Sequence, residues 1–140
     1  MIVLDSSFLI AFHNQRDVHH PVAAEVMNRL EAGEWSTILL PEYVFLEVTT
    51  VLAARRDVAT AARVGATLLA ARELEFVPCS DVFVDAFEVF SRQSKTSLSF
   101  VDAAIVAISR RRGVAHVATF DAELGRVQGL IAVPAMSATV

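Results

Sequence analysis

The chain has 140 residues, 54% apolar and 20% charged, with 12 basic side chains against 16 acidic ones and a net charge of −4. A chain of this length buries about 68–70% of the surface its unfolded form exposes and needs no covalent staple. Its only cysteine, Cys79, permits no internal disulfide and no thiolate metal cage.

Composition excludes disorder, low complexity and a disulfide-stapled secreted module. The net negative charge repels nucleic acid at long range, so binding it requires a local basic patch. The N-terminus has no basic region before Asp5, which excludes a signal peptide. Nowhere do about 18 apolar residues run without a charge, the length a membrane span needs. The expectation is a cytoplasmic protein with a single domain over residues 1–140.

Met1 to Leu4 is a short apolar run, read as a buried strand ending at Asp5. Ser6 to His13 allows one or two helical turns. His20-Pro21 reads as an N-cap followed by proline at the first helical position. Val22, Val26, Met27 and Leu30 then mark one face of a helix stopping at Gly33. Trp35 to Leu40 is strand-like, and Pro41 opens a helix to about Arg56. Asp57 caps an Ala-rich helix to about Arg72. Leu74 to Pro78 is a strand, and Ser80 or Asp81 begins a helix to about Gln93. Ser99 begins another that ends at Gly113. Val114 to Thr119 is a strand, Asp121 to Leu124 a short helical turn, and Leu130 to Val133 a last strand. Strands alternating with helices imply an α/β fold, an open parallel sheet covered on both faces.

Four carboxylates do not behave like surface residues. Open α/β sheets bind ligands beyond the carboxyl ends of their strands, where the strand order reverses. Asp5 and Asp121 each follow a strand and would share a crevice if those strands are neighbours. Either acid alone is also explained as a helix cap. Glu47 sits in an apolar helical stripe with Tyr43, Val44, Val48, Thr50 and Val51, where a charge needs a partner. Asp102 lies among Leu98, Ile105 and Val106, and Ser99-Phe100-Val101-Asp102 also reads as a capping box. Glu42 lies in a first helical turn, where the helix dipole alone explains it. Two unit charges about 4 Å apart interact by roughly 4 kcal/mol at an effective dielectric of about 20, so four converging acids call for a cation. Oxygen-only ligation selects Mg²⁺ or Mn²⁺ over zinc.

The segments Val3-Leu4-Asp5-Ser6-Ser7, Leu46-Glu47-Val48, Ser99-Phe100-Val101-Asp102-Ala103 and Ala118-Thr119-Phe120-Asp121 resemble, in order and spacing, the PIN-domain ribonucleases. The likeness is strongest to the VapC-type toxins of toxin–antitoxin pairs and runs from Ile2 to about Val133. It implies a three-layer α/β/α domain and puts the family's acids on Asp5, Glu47, Asp102 and Asp121. Ser7 and Thr119 fall on its small polar positions. The resemblance further implies Mg²⁺-dependent RNA cleavage leaving 5′-phosphate and 3′-hydroxyl ends, a homodimer, and inhibition by a VapB-type antitoxin in the acidic groove.

Every basic residue but Lys95 is arginine, whose planar fork suits phosphate. Arg92 and Lys95, in the polar stretch before Asp102, are placed near the pocket mouth as RNA contacts. Arg110, Arg111 and Arg112 are weaker candidates, because a helix C-terminus favours cations in any protein. His19 and His20 are assigned to a helix cap, and His13 and His116 to no role. Cys79 is read as a small buried hydrophobe, and Phe83, Phe87 and Phe90 as core or dimer interface rather than a base-stacking surface.

Four alternatives compete. An aspartyl phosphatase would carry Asp-x-Asp where this chain has Asp5-Ser6-Ser7, and a receiver domain would need an acid closing a middle strand. A non-toxin PIN-type RNA-processing nuclease fits the same residues, as does a non-catalytic acidic-pocket binding module. The last gains nothing from inward-facing acids without a cation.

Overall fold

The computed structural model describes residues 1–136. In chain order these form β1 (Ile2–Leu4), α1 (Ser6–His13), α2 (His20–Glu31), β2 (Ile38–Pro41), α3 (Glu42–Arg55) and α4 (Val58–Ala70). There follow β3 (Leu74–Val77), α5 (Cys79–Arg92), α6 (Phe100–Arg112), β4 (His116–Ala118), α7 (Ala122–Gly125) and β5 (Ile131–Val133). The strands make one wholly parallel sheet in the order β3-β2-β1-β4-β5. Every residue of β1 and β2 is buried, which requires cover on both faces of the sheet. The architecture is the α/β class expected from the alternation of elements.

From β1 the chain steps outward through β2 to β3, then crosses back to β4 and steps outward again to β5. This reversal makes a switch point between β1 and β4, the two strands followed by Asp5 and by Thr119–Asp121.

Strand starts depart from the sequence expectation for one reason. Ile2 pairs with Ile38 on one side and with His116 on the other, so both neighbours begin level with the central strand. Trp35–Thr37 and Val114–Ala115 therefore precede their strands. In α2 the N-cap is His19, and Pro21 is the second helical residue rather than the first. Its buried stripe is Ala23, Val26 and Leu30, while Val22 points outward.

The helices that carry the site are fixed by caps and packing. The Asp57 carboxylate accepts the Thr60 N–H at 2.6 Å and opens α4. Val44, Val48 and Leu52 recur every four residues and bury one face of α3. Ala103 to Ser109 are all buried, so α6 is enclosed on every side, with α5 and α3 among its neighbours.

One side-chain assignment narrows, from core or dimer interface to the second alone, and another changes. Phe83, Phe87 and Phe90 are not core: they are 57%, 56% and 40% exposed, because α5 buries its opposite side through Val82 and Ala86. Cys79 is half-buried rather than buried, at the first turn of α5. There the Glu42 carboxylate accepts its backbone N–H at 2.8 Å, so Glu42 has a tertiary role beyond its own helix dipole.

Gly113 ends α6 in the left-handed region at φ +67°, and a Cβ built there would meet nothing within 4 Å. The cost of a side chain is then purely that of the backbone. Gly113→Ala should destabilise by about 1 kcal/mol and Gly113→Asn by less, read as a shift in urea midpoint at constant slope.

Candidate active site

Asp5 is 2% exposed at the end of β1. It occupies the N-cap position of α1 but makes no side-chain capping bond, so the cap explanation fails for it. Instead its Oδ2 accepts the hydroxyls of Ser7 and Thr119, both at 2.7 Å. The network continues across the switch point. Phe120 N–H donates to Ser7 Oγ at 2.9 Å, and Asp121 N–H donates to Thr119 Oγ1 at 2.9 Å. The other oxygen, Asp5 Oδ1, is buried without a hydrogen-bond partner among the described residues. Burial raises the Asp5 carboxyl above its ordinary range, and the hydroxyl bonds oppose that rise.

The other three acids line the same cleft, a depression of about 470 Å³. Glu47 is half-buried on α3 and accepts the Ser6 hydroxyl through Oε1. Asp102, at the third position of α6, completes a capping box with Ser99: its N–H donates to Ser99 Oγ at 3.1 Å, and its Oδ2 accepts Ser99 N–H at 3.2 Å. Burial, and then the charges of Asp5 and Asp121, push its carboxyl up to about 6. Cap and cleft are therefore both true of Asp102. Asp121 Oδ1 caps α7 by accepting Glu123 N–H at 2.9 Å.

Among the described residues no three acidic, imidazole or thiol groups stand together closely enough to hold a metal ion as placed. The four acids instead form an open, oxygen-only wall, and Asp5 Oδ1 is a buried acceptor lacking a donor. In chemistry, though not yet in spacing, an oxygen-only donor set of this kind matches a hard divalent cation.

The basic residues named from sequence do not line the acidic cleft. Arg92 lines a different cleft and pairs with Glu88 at 2.9 Å, and Lys95 is exposed and outside the acidic wall. The segment joining α5 to α6 is pinned instead by Gln93, which bonds both backbone groups of Leu98, and by Glu123, which accepts from Ser97. Arg111 and Arg112 are paired with Asp85 and Glu75, and Arg110 leaves the helix end that points away from Asp102. Asp17 and Arg55, not singled out from sequence, also enter the wall, as does His19, read from sequence only as a helix cap. Arg55 follows Glu47 by eight residues on α3 with Val51 between, a spacing that puts all three on one helix face. His19 makes no side-chain cap and stacks on Phe120 at 4.5 Å and 11°.

A family model for the PIN domain matches residues 2–130. The chain belongs to the PIN domain family. The 23S rRNA-specific endonuclease VapC20, from two strains of Mycobacterium tuberculosis, is 28% identical over 123 residues, covering 88% of this chain and 91% of the relative. The crystal structure of M. tuberculosis VapC20, described as a Sarcin-Ricin loop cleaving toxin, superposes with a TM-score of 0.77 at 26% identity, covering 89% of this chain and 93% of that one. PAE2754 from Pyrobaculum aerophilum shares the fold at a TM-score of 0.60 and 19% identity, covering 95% and 89%. The family match and the VapC20 likenesses place the PIN domain with the VapC type.

The state of Asp102 gives a stability test. Its carboxyl titrates near 6 in the folded protein against 3.8 ordinarily, so the folded chain holds a proton the unfolded chain has lost. Stability should therefore fall as pH rises from about 4 through 6. Asp102→Asn keeps an acceptor for Ser99 N–H and removes the charge. After discounting for partial solvent exposure, it should stabilise the EDTA-treated protein at neutral pH by about 1–2 kcal/mol, and not at about pH 4. A variant less stable than the native chain at neutral pH would leave the capping box as the dominant role.

Proposed function

We propose that this chain is the ribonuclease toxin of a toxin–antitoxin pair, hydrolysing RNA phosphodiesters in the acidic cleft with Mg²⁺ or Mn²⁺. The observation that carries the reading is the buried, unpartnered Asp5 Oδ1 in a cleft walled by Glu47, Asp102 and Asp121. The names of the VapC20 relatives, a 23S rRNA-specific endonuclease and a Sarcin-Ricin loop cleaving toxin, support RNA as the substrate class.

Asp5, Asp102 and Asp121, with Glu47, would hold the cation. When bound, it neutralises the gathered carboxylates, acidifies a water and offsets the charge that builds on the phosphate during in-line attack. The chain's own residues do the positioning. Ser7 and Thr119 hold Asp5 Oδ2, which fixes the carboxylate plane and leaves Oδ1 facing no protein donor. Ser6 restrains Glu47 across the cleft. Asp102 and Asp121 are each tied to a helix N-terminus, which keeps them from swinging into solvent.

Two further elements belong to the same reading. The exposed Phe83, Val84, Phe87 and Phe90 of α5 offer an apolar face for a second copy, giving a homodimer. A VapB-type antitoxin would silence the enzyme by covering the acidic groove. No helix among the described residues is long and apolar enough to cross a membrane, in keeping with RNA in the cytoplasm as target.

Asp5→Asn and Asp102→Asn should each lower RNA cleavage by on the order of a hundredfold or more while the protein stays folded. EDTA should abolish cleavage by the native chain, and Mg²⁺ should restore it. Mg²⁺ should also raise the native melting temperature by mass action, and raise it less in either variant. Full cleavage by both variants at limiting Mg²⁺ would remove the acidic cleft from the chemistry.

A further inference from the structure

Three clefts follow one another through shared wall residues. His19 and Phe120 belong both to the acidic cleft and to a second cleft that runs beside α7 to Arg126. Arg126 in turn lines a third cleft together with Arg92 and Arg110. Acids dominate one end of this series of clefts and arginines the other.

The basic end is not neutralised. Its one acidic lining residue, Glu88, is matched by Arg92 at 2.9 Å. Arg110 and Arg126 form no ion pair among the described residues, whereas their neighbours Arg111 and Arg112 do. Glu123, whose carboxyl Arg126 helps to lower, is bonded by Ser97 through both its N–H and its hydroxyl. In a chain of net charge −4, two exposed guanidiniums on one cleft that enter no ion pair among the described residues mark a place for an external anion.

At the border between the two ends lies the ring stack of His19 on Phe120, with His19 exposed. Exposed rings beside a cationic groove are what single-stranded nucleic acid uses, bases on the rings and phosphates on the cations. Arg110 lies eight residues from Asp102 on the same helix, about 12 Å along its axis, within reach of a few nucleotides.

We infer that a single RNA strand leaves the acidic cleft over the His19–Phe120 stack, with a base against His19, and sets its next phosphates on Arg126, Arg110 and Arg92. This rests on the ribonuclease reading above and adds the path of the strand outside the cleavage point. His19, Arg110 and Arg126 are positioning residues for the substrate, distinct from the four acids.

The test reads binding without turnover. A fluorescent random-sequence RNA of about 12 nucleotides is titrated with native protein in EDTA, by anisotropy, over about 50–200 mM salt. Three phosphate contacts predict a log–log salt slope of about −2, and Arg110→Ala/Arg126→Ala should flatten it by about 1.4 and weaken low-salt binding about tenfold or more. His19→Ala should weaken binding about fivefold or more and leave the slope unchanged. These side chains are exposed, so melting curves should match the native one. The proposal is overturned if the native chain does not bind at the lowest salt, or if the double variant keeps the native slope. It is equally overturned if the double variant loses an oligoglutamate peptide and not the RNA, which would assign the arginines to an acidic protein partner. Cleavage is not read, so loss of hydrolysis and loss of the track are told apart.

Discussion

The arrangement turns on a carboxylate that has almost no contact with water. Burying an ionised group costs several kcal/mol unless bonds or a counter-charge replace its hydration. Asp5 has two hydroxyl donors on one oxygen and none on the other, so its compensation is half complete. The donors come from opposite sides of the switch point, Ser7 from the start of α1 and Thr119 from the end of β4. Keeping Asp5 in place therefore requires β1 and β4 to be adjacent and in register, which the pairing of Leu4 with Ala118 provides. The sheet order is a condition of the site as well as of the core.

Like charges near Asp5 would loosen this end of the molecule if nothing opposed them. Three helices begin there: α1 after Asp5, α6 after Ser99 and α7 after Asp121. Helix N-termini present unsatisfied N–H groups and a partial positive charge, which favour nearby carboxylates. Asp102 and Asp121 use this directly by bonding backbone N–H groups. The offset is incomplete, since the Asp102 carboxyl still stands near 6. The residual repulsion is what a bound cation would relieve, so an affinity for a cation and a weakness of the cation-free state would share one origin.

The fold was legible in the sequence because its signals are local. Apolar blocks ending at Asp5 and Pro41, the Asp57 cap, the Ser99 capping box and the Gly113 stop all appear where the residues place them. The acids were legible because each breaks an apolar pattern or closes a strand. The cations were not, since an exposed arginine interrupts nothing and its partner is set by tertiary packing. Proximity along the chain placed Arg92 and Lys95 beside Asp102, but Arg92 lines another cleft and Lys95, exposed, does not line the acidic one. Arg55 carried a readable signal, its spacing of eight from Glu47. His19 carried none, because its stack with Phe120 joins residues a hundred positions apart. The phenylalanines of α5 show the limit of periodicity, which gives an apolar stripe without saying whether this chain or another copy covers it.

The separation of charge has a chemical logic. An arginine bonded to the acids would occupy the carboxylate oxygens a divalent cation needs, and none of the ion pairs among the described residues involves Asp5, Glu47, Asp102 or Asp121. Even Arg55, which lines the cleft, leaves them free. A polyanion nevertheless needs cations near an acidic centre, so they must stand outside it on a rigid support. Helix α6 is such a support, with Asp102 in its first turn and Arg110 in its last, and Ala103 to Ser109 between them buried against the rest of the protein. Because α6 is enclosed on all sides, neither end can shift without moving the core. The distance between the acids and Arg110 is thus set by packing, independent of any flexible loop.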